Sequence, residues 1–195
     1  MAESINEQMK KDLRKAIEVL QQGGVVLYPT DTVWGLGCDA TNKEAVKRIY
    51  RIKRREERKS MLILVASVND LPLYVKEVPP MAYELIRVND QPMTLVYPGA
   101  QNLAENLIAE DGSIGIRIPM DEFCLQLLQR FGKPVVSTSA NFSGNPAPAI
   151  FREIPEEIKK AVDYVVSWRQ NDPGKRKPSS VIKIGLKGEI EIIRE

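Results

Sequence analysis

The chain has 195 residues, 28% of them charged and 43% apolar, with a formal net charge of +2. That balance suits a soluble globular chain with one core and gives no general argument for a nucleic-acid partner. No apolar run approaches the ~20 residues needed to span a bilayer. Histidine is absent, which excludes Ser-His-Asp and Cys-His catalysis and any His-built zinc site.

Residues 1–10 are polar and carry no apolar signal core, so export is not expected and a cytoplasmic setting is. Two unrelated cysteines, Cys38 and Cys124, do not make a disulfide framework and fit a reducing compartment. Ser4 to Glu7 has capping-box form, and Ile5, Met9, Leu13, Ile17 and Leu20 then recur at helical spacing until Gly23-Gly24. Val25 to Tyr28 reads as a strand, and Pro29 with the polar residues after it as a loop at its end. Asn42 caps a second predicted helix, with Ala45, Val46, Ile49 and Ile52 inward and the cations of the stretch from Lys47 to Lys59 on its polar face.

Met61 to Ala66 is continuously apolar, as for a strand buried on both faces. Asp70 to Val75 reads as a helical turn, Pro79-Pro80 as the opening of a helix with Met81, Leu85 and Val88 apolar, and Thr94 to Tyr97 as a strand. Residues 100–112 read as an exposed connection. Ser113 to Ile118 alternates as a half-buried strand with Ile114, Ile116 and Ile118 on one face, and Pro119 stops it. Asp121 caps a helix carrying Phe123, Cys124, Leu127, Leu128 and Phe131, ended by Gly132. Lys133 to Val136 is a short buried strand. The last elements are a helix from Pro155 to Ala161, a strand from Tyr164 to Val166, a mobile basic loop from Asn171 to Pro178, and a hairpin of Val181–Ile184 with Glu189–Ile193. Several strands follow one another without a helix between. The expected class is therefore α/β, or α+β-like, with a mixed parallel and antiparallel sheet, in one domain over residues 1–195.

Three stretches could carry chemistry. Ser137-Thr-Ser-Ala-Asn-Phe-Ser-Gly144 follows a strand, where open α/β sheets place donors and acceptors in a ligand crevice; it is also a plain polar turn. Pro29 to Gly37 holds two threonines, Asp31 and Trp34. Lys53-Arg-Arg55 belongs to a cationic run that is either a solvated helix face or a wall for an anion. There is no Gly-x-x-x-x-Gly-Lys-Ser/Thr loop and no Gly-x-Gly-x-x-Gly; Gly35-x-Gly37 is only a fragment. A bound nucleotide would have to be held by Lys, Arg and loop hydroxyls.

Residues 29–40 (Pro-Thr-Asp-Thr-Val-Trp-Gly-Leu-Gly-Cys-Asp-Ala) resemble the opening signature of the YrdC-like family, the threonylcarbamoyl-AMP synthases. Lys53-x-Arg55 is similar to that family's Lys-x-Arg pair, Ser113 to Pro119 to its central strand, Ser139-x-Asn141 to its Ser-x-Asn pair, and Pro178-Ser-Ser-Val181 to its last motif. The matches keep their order from about residue 12 to 194. The chain departs from the pattern at Val88 to Thr94, where the family usually has Pro-Gly-Pro before the threonine, and at Glu56, where a proline is common. Leu62 to Leu64 stand where some members have a histidine.

The resemblance implies a twisted mixed sheet with helices around a large concave basic cleft, in the short single-domain form. It also implies a reaction of L-threonine, bicarbonate and ATP to threonylcarbamoyl-AMP and pyrophosphate, for N6-threonylcarbamoyladenosine in tRNA. By resemblance Lys53 and Arg55 are catalytic. Lys53, Arg55, Lys59, Ser113, Ser139, Asn141, Ala147 and Arg194 bind ATP, and Thr32, Arg117, Ser137 and Ser179 bind threonine. Mg²⁺ is expected with ATP, without a dedicated carboxylate cluster. Expected partners are ATP, L-threonine and bicarbonate, with tRNA and tRNA-modification proteins possible in addition and no membrane. Two other readings stand beside this one. The first is an RNA-binding protein using the Lys47–Lys59 face and the Lys175–Lys177 loop; the second is a paralogue that only hydrolyses ATP. Lys53→Ala is expected to lower turnover far more than stability, because an exposed charge contributes under ~1 kcal/mol to folding.

Overall fold

The computed structural model describes residues 2–57 and 61–195, with side chains from residue 7 onward. Helix α1 runs Ala2–Gln21. Ser4 therefore lies inside the first turns rather than at the cap, and the side chains of Ser4 and Ile5 fall outside the described residues. Leu13, Ala16, Val19 and Leu20 form its buried stripe. Asp12 is buried on the same stripe, where its carboxylate accepts from the Tyr164 hydroxyl (2.5 Å) and from the Trp168 N–H (2.7 Å).

The remaining helices are α2 (Lys43–Lys53), α3 (Leu71–Tyr74), α4 (Pro80–Val88), α5 (Glu122–Phe131) and α6 (Glu156–Ala161). The caps predicted for α2 and α5 are present. Asn42 accepts from the Glu44 and Ala45 N–H groups, Asp121 accepts from the Cys124 N–H, and Gly132 closes α5 with φ 73°. In α4 the residue turned inward is Ala82, while Val88 is 70% exposed.

The strands are β1 (Val26–Tyr28), β2 (Gly35–Gly37), β3 (Leu62–Leu64), β4 (Met93–Tyr97), β5 (Ile114–Arg117), β6 (Val135–Ser139), β7 (Tyr164–Val165), β8 (Ser180–Ile184) and β9 (Ile190–Arg194). Among the described residues they form one sheet in the order β7-β1-β2-β6-β3-β5-β4-β8-β9. The pairs β1/β7, β3/β5 and β4/β8 are parallel and the other five antiparallel. The expected mixed sheet is therefore present, and so is the terminal hairpin.

Three expectations are corrected. The segment after Pro29 is not all loop: Gly35-Leu-Gly37 is a strand wedged between β1 and β6. A Cβ on Gly37 would lie 2.7 Å from the Tyr28 ring and 2.9 Å from the Val136 carbonyl. Its glycine therefore answers a steric demand inside the sheet, not a phosphate. Gly37→Ala is expected to cost about 1–3 kcal/mol by overpacking, read as a fall in Tm. The stretch 100–112 is not wholly exposed, since it contains a 3₁₀ turn, Glu105–Leu107, and buries Ala104 and Leu107. Strand β6 does not end at Val136 but continues through Ser139, because Ser137 pairs with Leu62 and Ser139 with Gly35.

Side chains alternate across a strand. Ile116 lies on the apolar side of the sheet with Leu71 and Ile86, and Ile114 shares its face by alternation, while Gly115 and Arg117 face the other side. Gly115 keeps that second side low, since a Cβ there would meet Leu62 and Thr94, each at 3.3 Å. The polar face of β6, β5, β4 and β8 becomes the floor of a hollow.

Candidate active site

That hollow is a cavity of about 600 Å³. Nine of the residues assigned by resemblance line it: Thr32, Arg55, Arg117, Ser137, Ser139, Asn141, Ala147, Ser179 and Arg194. Three guanidinium groups and no carboxylate stand among the lining residues. Of the other three assigned residues, Lys53 and Ser113 do not line it. Lys53 lies behind the wall. Ser113 is buried, and its hydroxyl donates to Asp111 (2.6 Å). Lys59 lies outside the described residues, as does Arg58 of the same run.

Lys53 sits on the last turn of α2 and is 1% exposed, so it belongs to the buried stripe and not to the polar face. It follows Val46 by seven residues and Ile49 by four, which is the spacing of that stripe. Its ammonium donates to the Ser139 carbonyl, to the Asn141 carbonyl (2.8 Å) and to Asn141 Oδ1 (3.1 Å). Three N–H bonds thus meet three oxygens. Burial first, and then the Arg55 guanidinium, pull its pKa down to about 7. Ser139 Oγ donates to the same Asn141 Oδ1, and Asn141 Nδ2 donates to the Asn145 carbonyl. Lys53 of the Lys-x-Arg pair and both members of the Ser-x-Asn pair are therefore one connected cluster. The premise that Lys53 is a surface charge is wrong.

The cationic run is also less of an open face than its sequence suggests. Arg48 pairs with Asp163 (2.5 Å), and the Arg54 guanidinium lies 4.2 Å above the Phe142 ring. Arg176 of the 171–178 loop donates to Asp172 (3.1 Å) and to the Thr30 carbonyl (3.3 Å).

On the other side of the hollow Arg117 is 3% exposed and forms an ion pair with Asp31. Asp31 also accepts from the Met120 N–H (3.0 Å). The Nε of Arg117 is buried without a hydrogen-bond partner among the described residues. Sequence reasoning missed Asp31 although it lies within the quoted motif, because its partner is 86 positions away. Thr30 Oγ1 donates to the Val33 carbonyl (2.8 Å) and lies 2.9 Å from Thr32 Oγ1. Thr30's proton is committed to Val33, so Thr32 donates to Thr30 and turns only lone pairs toward the cavity. Arg194 donates through Nε and Nη2 to the Ser179 carbonyl (3.0 and 2.7 Å), and burial, then Arg117, lower its pKa. Such a set can hold a carboxylate, accept from an amine and surround a polyanion with fixed charge.

The chain has relatives among known proteins. The profile of the Sua5/YciO/YrdC family, described as telomere recombination, matches residues 18–195. The threonylcarbamoyl-AMP synthase of Pseudoalteromonas translucida is 34% identical over 180 residues, covering 90% of this chain and 94% of that protein. The protein of the same name from Blochmanniella pennsylvanica is 35% identical over 167 residues, covering 83% and 84%. Among solved structures, that of E. coli YciO superposes with a TM-score of 0.81 at 26% identity, over 94% of this chain and 88% of that one. The crystal structure of P. abyssi Sua5 complexed with L-threonine gives a TM-score of 0.79 at 29% identity over 88% of this chain. This chain spans half the length of that Pyrococcus chain. Among the described residues no helix is long and apolar enough to cross a membrane. The chain belongs to the Sua5/YciO/YrdC family.

Proposed function

We propose that the protein is an L-threonylcarbamoyladenylate synthase, a nucleotidyltransferase that supplies threonylcarbamoyl-AMP for N6-threonylcarbamoyladenosine in tRNA. The observation that carries this is the Lys53–Ser139–Asn141 cluster at a cavity lined by Arg55, Arg117 and Arg194. Threonine's amine and bicarbonate first give a carbamate and water. A carbamate oxygen then attacks the α-phosphorus of ATP. The bond to the bridging oxygen of the β-phosphate breaks, and pyrophosphate leaves with that electron pair. Both partners are anions, so fixed positive charge and orientation are what the protein must supply. Arg55 and Arg194 offset charge on the phosphates. Arg117 holds the threonine carboxylate, and Thr32 accepts from its amine. No histidine is needed for any of these tasks.

Among the described residues no group of three or more acidic, Cys or His side chains could hold a metal ion. Magnesium is therefore assigned here as the companion of substrate ATP, held by phosphate and water; no step is routed through it. Association with tRNA and with tRNA-modification proteins belongs to the same proposal, and tRNA binding that weakens steeply with salt would support it.

The deciding assay gives purified protein ATP and bicarbonate and follows pyrophosphate. Release should require L-threonine. Inorganic phosphate formed without threonine, and no pyrophosphate with it, would mark an ATP hydrolase of the same fold instead.

A further inference from the structure

Three neighbouring side chains on the cavity floor form a group larger than the assigned threonine residues. Strands β4 and β5 pair antiparallel with Leu95 opposite Ile116 and Val96 opposite Gly115. One step further in that register Thr94 stands opposite Arg117, on the same face. Both line the cavity, and both are buried, Thr94 at 1% and Arg117 at 3% exposure. Thr94 Oγ1 lies 2.8 Å from Ser179 Oγ, which is likewise buried and lines the cavity. Each hydroxyl has one proton. Their mutual bond uses one, and the other has no acceptor between the pair. Beside them the Arg117 Nε also lacks a partner among the described residues. Among the described residues, one hydroxyl of the Thr94–Ser179 pair and the Arg117 Nε have no acceptor, and with Thr94 and Arg117 opposite one another on β4 and β5 they define a place for one anionic acceptor.

We propose that Thr94 is a further residue of the amino-acid subsite: with Ser179 it gives the second proton to the carboxylate that Arg117 holds. This rests on the threonine reading of the cavity given above. A bond from a neutral hydroxyl to a carboxylate is charge-assisted and of the stronger kind. Thr94 also fixes the direction of the Ser179 hydroxyl, whose backbone carbonyl is already held by Arg194.

The test is calorimetric titration of L-threonine and of ATP into wild-type protein, Thr94→Val and Thr94→Ser. Valine keeps the shape and removes only the hydroxyl, and the ATP titration reports an intact fold. Threonine should bind Thr94→Val at least tenfold more weakly, with ATP affinity within twofold of wild type and Thr94→Ser close to wild type. L-Valine, offered as competitor, should weaken in proportion, because it shares the carboxylate. Unchanged threonine affinity in Thr94→Val would overturn the assignment. So would a change confined to the threonine-to-valine ratio, which would mean that the pair reads the substrate's hydroxyl. A wild-type protein that binds ATP but no threonine would instead overturn the functional reading, and this assignment with it.

Discussion

Lys53→Met should lower the rate of pyrophosphate release by a hundredfold or more while moving Tm by only a few degrees. The methionine fills the space of the lysine stem. Of the three oxygens that lose the ammonium, the Ser139 carbonyl keeps the Asn141 N–H (2.9 Å) and Asn141 Oδ1 keeps the Ser139 hydroxyl. Only the Asn141 carbonyl loses its donor. An orphaned buried carbonyl costs about 1–3 kcal/mol, and the variant no longer buries a charge, which offsets part of that. For a chain of this size 1 kcal/mol shifts Tm by roughly 2–4 °C. Catalysis has no such offset: the Ser143 N–H still reaches the Lys53 carbonyl (2.8 Å) and keeps the loop near α2, but the ammonium is what fixes the Ser139 and Asn141 oxygens there, and a misplacement of ~1 Å at a reacting centre costs about 10²-fold. Turnover within threefold of wild type would remove Lys53 from the machinery.

The same variant has a signature in pH. Burial leaves Lys53 with a pKa of about 7 in the folded chain, against ~10.4 when unfolded. Below pH 7 both states are protonated, and the folded state carries the full penalty of the buried charge. Between pH 7 and 10 the unfolded state binds more protons, so stability rises with pH by up to ~1.4 kcal/mol per unit from this group. Above both values the penalty is gone. Urea denaturation at pH 6.5, 8 and 9.5 should show that rise in wild type and a flatter profile in Lys53→Met.

What could be read without coordinates was local. Asn42 and Asp121 announce the starts of α2 and α5 because a cap acts within three residues, and the Ile114–Ile116 alternation announces β5. Strand β2 was invisible because Gly-Leu-Gly has no strand propensity; it forms by pairing with β1 and β6, where Tyr28 and Val136 leave no room for a Cβ at Gly37. Lys53 was legible in spacing but masked by its charge, since a lysine is rarely fully buried without a partner and its partners lie 86 and 88 positions away. The Thr94–Ser179 and Asp31–Arg117 contacts span 85 and 86 positions. They follow from strand order, which no residue pattern reports. Motif resemblance gathered most of the cavity lining and touched Thr94 only as the end of a segment that departs from the family pattern; the sheet register is what sets it opposite Arg117.

The second large effect is one of stability. Asp31→Asn should destabilise the chain by about 3–5 kcal/mol, the usual cost of stripping one partner from a buried ion pair. Asparagine keeps the shape and an acceptor for the Met120 N–H, so what is lost is the counter-charge. Arg117, 3% exposed and already short of a partner at Nε, is then a cation with nothing to balance it. Removing that cation as well should recover part of the loss, so Asp31→Asn/Arg117→Met should be more stable than the single variant by urea denaturation. Both results follow from where the pair sits; an exposed pair would give less than ~1 kcal/mol in either direction. The orphaned guanidinium also gains more from a small anion than the paired one does. Acetate or L-threonine should therefore raise the Tm of Asp31→Asn by more than it raises that of wild type. Equal shifts would mean that Arg117 does not face the space where a carboxylate binds.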